Sequence, residues 1–217
     1  MAAFNFNFYG YDYEHGIDVL RDSLLEATEA LNAKEKSTQK TWEEYEDKVA
    51  SGEIAEIAEY DDETGSLIYN QSQVYEHDVE VVREAIQAVR KAHVISLYHL
   101  WERIVRQWTG TRQNARHEKL VNRVRAKGIE PPERFEHIYR LNNVLKHNSE
   151  DSGPKLLVAW PELFWNSAKL KTCVDNGGAQ ICWESNIILS DKTMEEVVTV
   201  MKASGPLTHI TDRNPSR

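Results

Sequence analysis

Proline ends helices more strongly than any other residue, because its ring fixes φ, crowds the preceding turn and removes a backbone donor. All six prolines of this chain, Pro131, Pro132, Pro154, Pro161, Pro206 and Pro215, lie beyond residue 130. The first 130 residues are therefore free to form helices much longer than the common three turns. Apolar side chains there recur at the required period. Ile17, Leu20, Leu24, Ala27 and Leu31 step by three and four, and Trp42, Tyr45 and Val49 resume the stripe after the polar stretch Lys34 to Lys40, where a break is expected. After an acidic turn, EYDDETG from Glu59 to Gly65, a second stripe runs through Val82, Ile86, Val89, His93, Leu97, Leu100, Ile104 and Trp108 and closes at Thr109 and Gly110. His93 on this stripe reads as a hydrogen-bonded core histidine rather than a ligand.

Two shorter helices follow in the pattern. A basic one covers Ala115 to Ala126, stopped by Gly128 and the Pro131, Pro132 pair, and another starts near Glu133 with Phe135, Ile138, Leu141 and Leu145 as its apolar side. Beyond Gly153, LKTCVDNGGAQICWE reads as two short runs around Asn176, Gly177 and Gly178, a hairpin signal that sets Cys173 across from Cys182. Met194 to Met201 reads as a last helix, and Phe4, Phe6 and Phe8 alternate with Asn5 and Asn7 at the period of a strand. Trp101, Trp108, Trp160, Trp165 and Trp183 stand in apolar context as core or interface residues. The expected fold is a single mainly α domain over residues 1–217, a bundle of long antiparallel helices with a small C-terminal β-hairpin. Residues 1–15 are expected to be flexible, and residues 166–217 to form an α/β appendage.

Composition narrows the function classes. An apolar fraction of 41% and a charged fraction of 28% suit a folded domain with well-solvated helical faces. The opening residues lack a basic stretch followed by an apolar region, and no apolar run reaches the roughly 18 residues of a membrane span, so a cytoplasmic protein without a membrane segment is expected. With two cysteines the chain is no disulfide scaffold. No Gly-rich loop precedes a Lys and Ser or Thr, no nucleophile motif for Ser or Cys occurs, and His-Glu-x-x-His is absent. His99 with Glu102 is the nearest approach to a metal pair, and neither a metal nor another cofactor is expected. The net charge of −9 is unevenly spread: residues 1–65 hold 17 acidic against 5 basic side chains, whereas residues 112–147 hold 9 basic against 4 acidic. A polyanion would meet the second region, where Arg116, Lys119, Arg123, Arg125 and Lys146 are the candidate backbone-binding cations.

On the fourth helix Arg140, Asn143, Val144 and His147 share one face, with seven residues spanning about 10 Å of axis. A histidine and an arginine so presented suit metal-free cleavage of an RNA phosphodiester. The imidazole moves the proton of the 2′-hydroxyl or of the leaving oxygen, and the guanidinium holds the phosphorane charge. The separation favours a composite cleft formed by two copies of the helix across a two-fold axis.

The segment RLNNVLKHNSEDSG, preceded by the long helix AIQAVRKAHVISLYHLWERIVRQW, resembles the Arg-x(4 to 6)-His motif of HEPN domains over roughly residues 82–165. That resemblance implies a dimerising helical bundle and a metal-independent endoribonuclease of toxin or antiviral defence type, with RNA as substrate and an antitoxin or other protein as partner. It assigns Arg140 to phosphate binding, His147 to general acid or base work, and Asn143 or Asn148 to orientation. Leu141, directly after the arginine, departs from the polar residue frequent there. The alternative is a non-catalytic helical module that binds a protein through the acidic N-terminal helix or a nucleic acid through residues 112–147.

Overall fold

The proline-free stretch becomes two helices of 43 and 39 residues, α1 (Phe8–Ala50) and α2 (Gln71–Thr109). The computed structural model describes residues 6–176 and 181–209, and over them the fold is mainly α, with one two-stranded antiparallel sheet. The break expected at Lys34 to Lys40 does not occur. That stretch lacks Gly and Pro, Thr38 returns its hydroxyl to the carbonyl of Lys34 at 3.0 Å, and Lys40 pairs with Glu44 one turn on. The helix stops where Gly52, at φ 74°, can take the left-handed exit that other residues resist. Among the described residues no helix is long and apolar enough to cross a membrane.

The chain divides into two compact units, residues 24–89 and the remainder. In the smaller unit, Glu35 meets Arg83 at 2.6 Å and Trp42 donates to Ser72 at 3.0 Å, so the partner number on α2 falls as the number on α1 rises. The two helix segments are therefore antiparallel. Strands β1 (Ala58–Tyr60) and β2 (Leu67–Asn70) join them as a short ribbon with Glu59 opposite Tyr69. The expected acidic turn is its tip, closed by Asp61, whose carboxylate accepts from the Thr64 N–H at 2.6 Å and from the Thr64 hydroxyl at 2.7 Å. The small β element of this protein thus lies at residues 58–70.

The larger unit also opens on antiparallel pairing: Gly16 lies against the Leu100 side chain, and Ser23 bonds His93 at 3.2 Å. Around these segments pack α3 (His117–Ala126), α4 (Arg134–His147), α5 (Ser152–Ala159), α6 (Ser167–Asp175) and α7 (Asp191–Ala203). Trp101 is fully buried at their centre, 4.7 Å from Phe135 of α4 and 5.8 Å from His117 of α3, ring centre to ring centre. Its indole N–H donates to the Ser204 carbonyl at 2.7 Å, and the buried Tyr13 hydroxyl donates to the carbonyl of Met201. Two aromatic donors therefore satisfy the buried C-terminal end of α7, whose last carbonyls have no partner within the helix.

Several expectations change. The C-terminal hairpin is not formed: residues 167–175 are the helix α6, where Asn166 caps the N-terminus by accepting from the Lys169 N–H at 3.1 Å. Its expected turn, Gly177 and Gly178, lies outside the described residues, and Cys173 and Cys182 are free thiols. The segment expected as an α/β appendage instead supplies Ile187, Leu189, Val197 and Met201 to the core of the larger unit. At the N-terminus Phe6 forms an isolated bridge with His209 and α1 begins at Phe8, while Phe4 and Asn5 lie outside the described residues. Trp101, Trp160 and Trp183 are buried as expected, but Trp165 is 77% exposed.

A Cβ at residue 205 would lie 2.1 Å from Cε1 of the buried Tyr13 ring. Gly205→Ala should therefore destabilise the larger unit by about 1–3 kcal/mol through overpacking, read as a lowered urea midpoint. An unchanged midpoint would contradict the tight contact between Tyr13 and the end of α7.

Candidate functional site

The helix α4 is amphipathic, but its buried arc is wider than one stripe because it packs against both α5 and α7. Phe135, Ile138 and Leu141 are buried as expected; Leu145 is half-buried, whereas Asn142 and Val144 are buried as well. Val144 therefore belongs to the core and not to the polar face with Arg140 and His147. Arg140 and Asn143 are half-buried, and Lys146 and His147 are exposed in the last turn. A cationic last turn suits the negative end of the helix dipole.

Arg140 does not stand alone. Its guanidinium meets Oε1 of Glu136 one turn earlier at 3.3 Å, and Oε2 of the same carboxylate lies 3.2 Å from Nε2 of His117. His117 is buried and stacks on Tyr139 at 3.9 Å, while its Nδ1 lies 2.8 Å from the Tyr98 hydroxyl. Burial pushes the Tyr98 hydroxyl far above its ordinary range, so it stays protonated and donates to Nδ1. The proton on the imidazole is then on Nε2, where it donates to Glu136. Burial also lowers the His117 pKa, against the opposing pull of Glu136. A neutral histidine thus links Tyr98 on α2, through Glu136, to Arg140.

Asn148 takes a structural place. It ends α4 in the left-handed conformation at φ 48°, and its amide accepts from the Glu184 N–H at 3.1 Å and donates to the Ile181 carbonyl at 3.2 Å. The side chain expected to orient a substrate is committed to fastening α4 to residues 181–184. Arg134 is likewise structural: it pairs with Glu196 on α7 at 2.7 Å and lies 4.4 Å from the Trp160 ring centre.

On α3, His117, Leu120 and Val124 face inward. Arg116, Lys119 and Arg123, at the same three and four spacing, are exposed, as is Arg125, which pairs with Glu130 at 2.8 Å. Lys119 and Arg123 are like charges one turn apart, and Arg116 stands at the N-cap, where the helix dipole disfavours a cation. Each arrangement costs a few tenths of a kcal/mol that a bound anion would relieve. A cleft of about 800 Å³ beside this helix has the opposite character, lined by Glu118, Glu130, Glu133 and Glu136 with Arg125 and the ring of Phe135. A phosphate would be seated on the outer ridge of α3, not in that cleft.

A second space, about 860 Å³, lies between α1 and α2 in the larger unit, floored by Gly16, Leu20 and Leu100. At its rim Glu102 lies 3.5 Å from His99 and 3.2 Å from Arg106, so the carboxylate is already shared by two side chains. Among the described residues no group of three or more His, Cys, Asp or Glu is placed to hold a metal ion. The Glu136 to Arg140 pair was legible as an i, i+4 spacing. The link from Tyr98 to His117 joins different helices and has no sequence signal. No family model, curated protein or solved structure matches this chain.

Because burial holds the folded His117 pKa below the unfolded value, the folded state binds fewer protons, and stability must fall as pH drops through about 6.5. His137, lowered chiefly by burial and then by Arg134, adds a loss of the same sign. His117→Gln should flatten this dependence in urea titrations between pH 7.5 and 5. Parallel curves for the variant and the original chain would overturn the assignment of a buried neutral histidine.

Proposed function

We propose that this protein is a metal-independent endoribonuclease of HEPN type, with Arg140 binding the scissile phosphate and His147 acting as general acid or base. The observation that carries the reading is the held guanidinium: Arg140 is fixed by Glu136, which is itself fixed by the buried His117, while His147 is exposed two turns further along α4. A guanidinium set in place before substrate arrives loses little entropy on binding, which favours charge stabilisation in the transition state. The exposed ridge Arg116, Lys119 and Arg123 supports a polyanionic substrate. Seven residues of helix separate Arg140 from His147 by about 10 Å, so a second copy of α4 supplies the complementary group, and the active species is a homodimer. A toxin or defence role, with a protein antitoxin, follows from the HEPN resemblance.

One observation favours a non-catalytic nucleic-acid-binding module instead. Glu136 offsets much of the Arg140 charge and would weaken its grip on a phosphorane.

Cleavage of a mixed RNA pool in EDTA separates the two readings. The ribonuclease reading expects products ending in 2′,3′-cyclic phosphate. His147→Ala and Arg140→Ala should each slow cleavage at least about 100-fold, and His147→Ala should leave the melting temperature unchanged because the side chain is exposed. Salt-sensitive RNA binding without cleavage by any of the three proteins would sink the enzyme and leave the module.

A further inference from the structure

The β1–β2 ribbon of the smaller unit has two properties that seldom coincide. Its side chains are apolar and exposed: Ile57 is 53% exposed, Tyr60 56% and Ile68 60%, with Leu67 and Tyr69 also exposed. Its surroundings are strongly anionic, since residues 49–82 contain nine Asp and Glu and no Lys or Arg. Among the described residues the sheet has two strands, so each presents an outer edge that no third described strand covers. An isolated two-stranded ribbon is only marginally stable in water. This one is held at its root. The Ile57 N–H donates to the Tyr45 hydroxyl at 2.9 Å, and the Gln71 N–H to the Ile57 carbonyl at 3.0 Å. Asn70 accepts from the Ser72 N–H at 2.9 Å, capping α2, and donates to Glu56 at 2.7 Å. The ribbon is therefore ordered before any partner arrives, which lowers the entropy cost of docking on it.

We infer that this ribbon is the docking site for a basic polypeptide segment that adds to it as a further strand. Strand addition supplies the backbone groups that the free edges lack, and apolar side chains of the incoming strand cover Tyr60, Leu67 and Ile68. Charge selects the occupant. A nucleic acid or an anionic lipid surface would be repelled by the nine carboxylates, and a second copy of the ribbon would bring a further nine against them. A Lys- or Arg-rich strand with alternating apolar residues meets both demands, and its attraction extends about 8 Å at physiological salt. The inference is independent of the ribonuclease reading, because neither Arg140 nor His147 lies within residues 24–89.

The test uses the full chain and a labelled ten-residue peptide of alternating Lys and Val. Comparison probes are alternating Glu and Val, alternating Lys and Gly, and polyuridylate. The Lys-Val peptide should bind and slow hydrogen exchange at amides within 58–60 or 67–70. It should bind at least about tenfold more tightly than the Lys-Gly peptide, which carries the same charge without apolar side chains. Ile68→Asp and Tyr60→Ser, both at exposed positions, should each weaken it about tenfold or more while leaving the melting temperature in place. Equal binding of the Lys-Gly peptide, protection confined to other segments, or indifference to both substitutions would overturn the proposal. So would tighter binding of polyuridylate at the ribbon, or a concentration-dependent dimer in sedimentation that Ile68→Asp abolishes, which would make the occupant a nucleic acid or a second copy.

Discussion

The larger unit depends on how the carboxyl end of α7 is satisfied. Met201 and Ser204 are fully buried: the Met201 carbonyl accepts from both the Ser204 N–H, at 3.0 Å, and the Tyr13 hydroxyl, while the Ser204 carbonyl, if left without its donor, would cost about 1–3 kcal/mol. Tyr13 and Trp101 reach these carbonyls from the two long helices, Trp101 donating to Ser204 at 2.7 Å. This fixes the position of Trp101, and the Trp101 ring in turn supports Phe135 and His117. The order of dependence therefore runs from a helix terminus, through an aromatic cluster, to the imidazole that holds Glu136 and so Arg140. Truncating a residue such as Trp101 typically costs 3–5 kcal/mol, and here the loss would reach the candidate site as well as the core.

The same packing divides charge within the larger unit. Because α3 turns His117, Leu120 and Val124 inward, its cations Arg116, Lys119 and Arg123 must lie on the outside, where nothing forces them to pair. Glutamates at 118, 130, 133 and 136 line the neighbouring cleft, and there one of them performs the structural task of receiving the His117 proton. A net basic segment is thus not a uniformly basic surface. Its exposed cations Arg116, Lys119 and Arg123 lie on the α3 ridge and Lys146 lies in the last turn of α4, apart from the carboxylates that line the cleft.

In the smaller unit two helix segments and a ribbon have little interior to share. Leu24, Val79, Val82 and Ile86 are buried between the helices, while the ribbon keeps its apolar side chains at the surface. The carboxylates of residues 49–82 surround these exposed apolar groups with like charge, which raises the cost of bringing two such surfaces together.

What the sequence determined by itself was local and periodic. The absence of proline before residue 131 and the three and four spacing of apolar residues give α1 and α2 their existence and much of their inward faces, and local signals give α3, α4 and α7 their existence, because helix formation depends on contacts within a few residues. The spacing of Glu136 and Arg140 was readable for the same reason. The tertiary structure decided what distance in the chain conceals. The segment around Cys173 is helical despite its hairpin signal. Val144 is core because α4 contacts two neighbours at once, and Asn148 is a helix cap whose partners lie more than thirty residues away. His117, silent in the sequence, gains its role from Tyr98 and Glu136, each 19 residues distant. Hydrogen bonds and ring contacts between helices depend on where whole elements come to rest, and no local pattern encodes that.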